Sequence, residues 1–272
     1  MYDNWLYLKK RNIKYAFILV PNKHTIYPEF LPKHIYSRFK RKYPHIQTNA
    51  DQIKKALLER DKNFPIIDLR SHIKSHKNNP KNYILYDKTD THWNGYGMKI
   101  AYEKIYEYLT KNLGINLAKS KFILEEKIIN SGDLANMAGR YPQYKSIKAS
   151  LKNKDFGEIK SSHAKDQIRT IAKNIYEHKL QNKDISLYKK QEDFKTFIQH
   201  DSFFRSGLLQ PFIANSLNGE SIFVRNIFKN NMLCKIQKSN IDYFKPDLVI
   251  HQMVERLAVK YCSKYPAKDF GF

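Results

Sequence analysis

The sequence predicts an α/β fold, three-layered, around a mostly parallel central sheet. Short apolar, β-branched or aromatic runs recur along the chain, segments with apolar residues at helical spacing lie between them, and the two kinds alternate. The first strand is Ala16–Val20 and the second Ile66–Leu69. Tyr83-Ile84-Leu85-Tyr86 reads as a further strand, after which Asn94-Gly95 opens a helix with apolar residues at Met98, Ala101, Ile105 and Leu109. Thr196–Gln199 reads as a strand followed by helical spacing at Leu208, Leu209, Phe212, Ile213 and Leu217, and Ser221–Val224 and Leu248–Met253 complete the sheet. Residues 146–195 are rich in Lys and Asn, with few large apolar residues before Ile168 and then a helical pattern through Ile171, Ile175 and Leu180. They read as an insertion or lid, with a solvated helix and loop as the plainer alternative. The whole chain, 1–272, is read as a single domain with ample length for a core.

Composition narrows the function. A hydrophobic content of 42% with 14% aromatic residues argues against disorder, because there is apolar surface enough to offset chain entropy. The net charge of +23 raises nucleic acid as a partner, but the lysines are scattered. No helix-turn-helix signature, zinc-finger spacing or RNA-binding aromatic motif accompanies them, so no nucleic-acid partner is expected. Cys234 and Cys262 form no CxxC motif, which leaves a disulfide and two buried thiols both open. The sequence contains no apolar run long enough to span a bilayer and no signal-peptide pattern.

Two distant segments carry chemistry: Asp90-Thr91-His92-Trp93-Asn94 and His200-Asp201-Ser202-Phe203. A serine hydroxyl needs an imidazole to take its proton, and the imidazole needs a carboxylate to hold its tautomer. Ser202 is the candidate nucleophile, His92 the base and Asp90 the orienting acid, each at a strand-to-helix turn where catalytic groups project. Taken singly, Asp90 could cap the helix near Asn94 and His92 could be a packing residue, but one active site accounts for all the segments together. Asp68, His72 and His76 have ligand-like spacing, yet Arg70, Lys74 and Lys77 crowd them with positive charge, so no metal and no cofactor is expected. Glu255 and Arg256 follow the last strand, where they either line the site or, the reading preferred, form an internal ion pair that supports it.

These segments resemble the alginate O-acetyltransferase J/X family of SGNH-hydrolase-like proteins, in which the Asp-x-His element precedes the serine, a circularly permuted order. By resemblance to the Gly-Asp-Ser elements of SGNH enzymes, Asp201 would be a structural residue of the serine turn. Phe17 to Lys23, Ile26-Tyr27-Pro28-Glu29 with Leu31-Pro32, Ile67-Asp68-Leu69, Gly132-Asp133-Leu134 and Lys245 to Ile250 with Glu255-Arg256 are similar to the family in the same order. The resemblance implies acetyl transfer through an acetyl-serine to a bacterial exopolysaccharide or cell-wall glycan, with a carbohydrate acetylesterase or an inactive polysaccharide-binding scaffold as alternatives. It also implies a polysaccharide acceptor, anionic if the basic charge is functional, a membrane-bound O-acyltransferase as acetyl supplier, and a place in the periplasm or cell envelope. Family members carry an N-terminal anchor or export signal and a further stretch before the first strand, so this chain is expected to be N-terminally truncated.

Overall fold

The computed structural model describes residues 1–34, 37, 48–154, 157–158, 185–190, 192–205, 208–225 and 234–262. Among these residues, strands β1 (Lys14–Val20), β2 (Ile66–Asp68), β5 (Gly157–Glu158), β6 (Ile185–Lys189), β7 (Lys195–His200), β8 (Glu220–Arg225) and β9 (Leu248–Val254) form one sheet. Its order is β2-β1-β9-β7-β8-β6-β5. The first five strands in that order run parallel, and β6 and β5 are added antiparallel at one edge. The fold is therefore α/β with a mostly parallel central sheet, as the sequence predicts, and five predicted strands lie within two residues of their observed limits.

Every residue of β9, and all of β1 from Tyr15 onward, is buried. Both faces of these central strands are covered, which is why they read as unbroken apolar runs. Helix α1 (Tyr2–Lys9) packs on β1 through Trp5 and Leu8, and Trp5 meets the ring of Phe64 edge to face. The other helices are α2 (Lys23–Ile26), α3 (Asn49–Arg60), α4 (Leu69–Ser75), α5 (Gly95–Lys111), α6 (Asp133–Met137), α7 (Gln210–Ser216), α8 (Lys238–Phe244) and α9 (Glu255–Cys262). In α5 the Asn94 side chain accepts hydrogen bonds from Tyr96 N and Gly97 N, satisfying two orphan donors of the first turn. Met98, Ala101, Ile105 and Leu109 are all buried there, at the predicted spacing.

One expectation needs correction. Tyr83 to Tyr86 is not a strand: only Tyr86 forms an isolated bridge, to Trp93. Backbone groups of this run are satisfied in part by side chains, with the Leu85 N–H donating to the Tyr27 hydroxyl and the Ile84 carbonyl accepting from the Asn94 amide, while the Leu85 carbonyl accepts from the Asn94 backbone N–H. After Ser202 a single 3-10 turn, Ser202–Phe204, precedes α7, which begins at Gln210 within the stretch of predicted helical spacing. An antiparallel pair, β3 (Phe122–Ile129) with β4 (Tyr144–Leu151), was not anticipated. In the stretch 146–195, the described ends belong to β4, β5, β6 and β7, while the helical pattern at 171, 175 and 180 lies outside the described residues.

Cys234 and Cys262 are joined by a disulfide with Cα atoms 5.4 Å apart, closing a loop of 28 residues around α8 and β9. Loop-closure entropy for that length corresponds to about 3.5 kcal/mol. The double variant Cys234→Ser, Cys262→Ser is expected to melt roughly 10 °C below the wild type, and reductant should bring the wild type down to the same temperature. A melting temperature indifferent to reductant would mean two free thiols.

Candidate active site

The end of β7 and the loop before α5 bring the three candidate residues together. Ser202 Oγ lies 2.7 Å from His92 Nε2 although the two are 110 positions apart. On the other side of the ring, His92 Nδ1 lies 2.6 Å from Asp90 Oδ1, which also accepts the His92 backbone N–H at 2.9 Å. A carboxylate facing Nδ1 sets the tautomer: Nδ1 carries the proton, so Nε2 is free to accept from the serine hydroxyl. The Asp90 carboxyl is opposed by burial, but the His92 ring and backbone donors outweigh it and hold the group far below the usual carboxylate range. Phe203 packs against the rings of both His92 and Trp93, fixing the imidazole plane.

Each turn is braced from a different element. Asp201 is buried; its Oδ1 accepts from Phe203 N (2.9 Å) and Gln252 Nε2 (3.0 Å), and its Oδ2 accepts from Val254 N (2.6 Å). Its own N–H donates to Gln252 Oε1. Asp201 thus ties the serine turn to β9, in the structural role predicted. Burial pushes its carboxyl up, against those donors. Next to it, burial lowers the His200 imidazole to about 4, so the ring is neutral at pH 7, and its Nδ1–H donates to the Asp201 carbonyl.

The Asp90 loop has two anchors that sequence reasoning left without a role. Lys23 Nζ donates to the carbonyls of Asp87 (2.7 Å), Lys88 (2.8 Å) and Asp90 (3.1 Å). Burial lowers its pKa, opposed by the charges of Asp90, Asp87 and Asp133. From the other side comes the N-terminus of α6, whose Leu134 and Ala135 N–H groups donate to the Thr89 carbonyl. Gly132 sits so close that a Cβ on it would lie 2.4 Å from the Asp90 Cβ. Only hydrogen fits there, a constraint of space rather than of backbone angle. The short Gly-Asp run before α6 was the available signal.

Glu255 supports, as expected: its Oε2 accepts from Asn22 N, Asn22 Nδ2 and Thr25 Oγ1, which holds the loop after β1. Arg256 donates to Asn22 Oδ1 and lies over the Phe203 ring at 5.7 Å. It also lines a cavity of about 590 Å³ that reaches Thr91 and Leu134, with Tyr27, Tyr86 and Phe30 among its apolar walls and His24 and Lys88 among its polar ones. Asp68 caps α4 and pairs with Arg70 and Lys54, while the His72 and His76 rings pack at a tilt, with centroids 4.7 Å apart. Asp90, His92 and Asp133 have oxygen and nitrogen atoms within 4.8 Å of one another, but these donors are engaged in hydrogen bonds among themselves and with Thr91. Among the described residues no helix is long and apolar enough to cross a membrane.

Residues 6–173 match the model of an SGNH hydrolase-like domain, acetyltransferase AlgX. No curated protein matches the chain by sequence. Among solved structures, PatB1 of Bacillus cereus is similar over 94% of this chain and 87% of its own, with a TM-score of 0.60 and 17% identity. The O-acetyltransferase domain of Pseudomonas putida AlgJ aligns over 93% of this chain and 78% of its own, with a TM-score of 0.54 and 14% identity. A DHHW family protein from Eubacterium siraeum covers 95% and 83% at a TM-score of 0.56 and 15% identity. At such identities the likeness speaks for the fold alone.

Proposed function

The chain belongs to the SGNH hydrolase-like acetyltransferase family AlgX and is an O-acetyltransferase, and on that premise we propose that it acetylates hydroxyls of a bacterial exopolysaccharide or cell-wall glycan through Ser202, His92 and Asp90. The observation that carries the reading is the continuous chain from Ser202 Oγ through the two ring nitrogens of His92 to Asp90, at 2.7 and 2.6 Å. In the first half-reaction Ser202 Oγ attacks the acetyl carbonyl as His92 Nε2 takes its proton. The imidazolium, paired with Asp90, then protonates the departing donor group and leaves acetyl-Ser202. In the second half, His92 removes the proton of a sugar hydroxyl, which attacks the acetyl carbonyl, and Ser202 is restored with the proton returned to its oxygen.

The cavity beside Thr91 is the acceptor site in this reading. Tyr27, Tyr86 and Phe30 offer ring faces to a sugar, and Lys88, His24 and Arg256 favour an anionic one. The family resemblance assigns the acetyl supply to a membrane-bound O-acyltransferase. The periplasm or cell envelope is the compartment that suits both this supply and the Cys234–Cys262 disulfide.

Incubation with an acetyl donor and either a uronate-containing or a neutral oligosaccharide, read by mass spectrometry, tests the acceptor. Acetylated uronate product should dominate, and Lys88→Glu should lower it by about tenfold while hydrolysis of a small neutral ester is unchanged. The preference should shrink with added salt, since the screening length at physiological ionic strength is about 8 Å. Equal transfer to both sugars would remove the charge from the proposal, acetate release without glycan product would make the protein an esterase, and neither product would leave a binding scaffold.

A further inference from the structure

The Asp90-Thr91-His92 loop faces a second carboxylate. Asp133 Oδ1 accepts the Thr91 N–H at 2.7 Å and its Oδ2 accepts the Thr91 hydroxyl at 2.5 Å, so both oxygens grip the residue between the acid and the base. The same Oδ2 lies 3.8 Å from His92 Nδ1, too far for a hydrogen bond but close for a charge. The contact is mutual, because Asp133 N points its hydrogen at Asp90 Oδ2, 3.4 Å away. Thr89 completes the clamp, its Oγ1 accepting from Gly132 N.

We propose that Asp133 is a positioning residue for the reaction, gripping Thr91 so that Asp90 and His92 keep their register and setting a second negative charge behind the imidazole. This rests on the reading of Ser202, His92 and Asp90 as the catalytic group. When Ser202 is deprotonated the ring becomes a cation, and a carboxylate held at 3.8 Å from Nδ1 stabilises it without competing for the Nδ1 proton, which Asp90 holds. Neighbouring charged groups that share the site are Asp90, Asp87 and Lys23 on the loop's near side and Arg256 beyond Phe203, and the titratable but neutral Tyr144 hydroxyl lies near them. Among the described residues, Asp90 and Asp133 are the carboxylates that lie within 4 Å of His92 Nδ1.

The experiment is a pH profile of ester hydrolysis by the full chain. Asp133→Asn preserves the shape and can keep both Thr91 contacts, with the amide oxygen accepting from the backbone N–H and the NH₂ donating to the hydroxyl, but loses the charge. It should lower kcat by roughly tenfold with KM nearly unchanged, and move the acidic limb of kcat/KM to lower pH by about half to one unit. Thr91→Val breaks one grip and keeps the charge, so it should lower kcat without moving the limb. An unmoved limb in Asp133→Asn, or an equal move in Thr91→Val, would overturn the proposal while Ser202→Ala remained inactive. Full activity in Ser202→Ala would instead remove the catalytic reading beneath it.

Discussion

Ser202→Ala is expected to reduce hydrolysis of p-nitrophenyl acetate by on the order of 10⁴-fold or more, to the uncatalysed background, with the melting temperature unchanged. The loss should be this large because among the described residues Ser202 Oγ is the oxygen in hydrogen-bond contact with His92 Nε2, and it supplies the covalent route that splits one acyl transfer into two easier steps. The stability should hold because alanine removes a single oxygen from a partly buried position, and the hydrogen bond lost is the one to the imidazole. Adding His92→Ala to Ser202→Ala should lower the residual rate little further, since the pair works as one device and the effects of its members do not add. A Ser202→Ala enzyme hydrolysing the ester at the wild-type rate would sink the assignment of the nucleophile.

Asp201→Ala should be the most damaging change near the site for stability. Asp201 is 1% exposed, and three donors converge on its carboxylate, two of them backbone N–H groups, one in the 3-10 turn after β7 and one at the end of β9. Alanine would leave Phe203 N and Val254 N unpaired away from water, and each buried orphan donor costs about 1–3 kcal/mol. We expect a total near 4 kcal/mol and a melting temperature lower by roughly 10 °C. Asn should be partly tolerated, because its oxygen can serve one N–H while its NH₂ faces the other, a donor against a donor. Activity should fall further than stability alone requires, since the turn that aims Ser202 at His92 hangs from this residue. Thermal unfolding and ester hydrolysis measured on the same preparations decide it; an Asp201→Ala protein as stable as the wild type would show that the turn is held elsewhere.

Much of this arrangement was legible because it is local. Asp90 and His92 are two positions apart, so the loop that bears one must bear the other, and the tautomer argument needs nothing further along the chain. The strands β1 and β9 stand out because strands covered on both faces must be apolar throughout. Helix α5 declares itself by a cap at Asn94 and a stripe at the 3.6-residue period. The same reasoning fails at Tyr83 to Tyr86, where apolar and aromatic residues report burial correctly but not the partner: the Tyr27 hydroxyl and the Asn94 amide take the hydrogen bonds that a neighbouring strand would have taken. It also passes over β3, whose Glu125, Glu126 and Lys127 are exposed and whose pairing with β4 depends on a second strand.

By itself, then, the sequence determined the class of fold, the Asp-x-His loop and the order in which it precedes the serine, since propensity, burial period and near-neighbour chemistry act over a few residues. The tertiary structure alone decided that Ser202 meets His92 across 110 positions, that Gln252 and Val254 hold Asp201, and that Asp133 returns 42 residues later to grip Thr91. Contacts at that separation are set by which strands lie side by side and how closely backbones approach, and no local pattern of residue types encodes a distance in space.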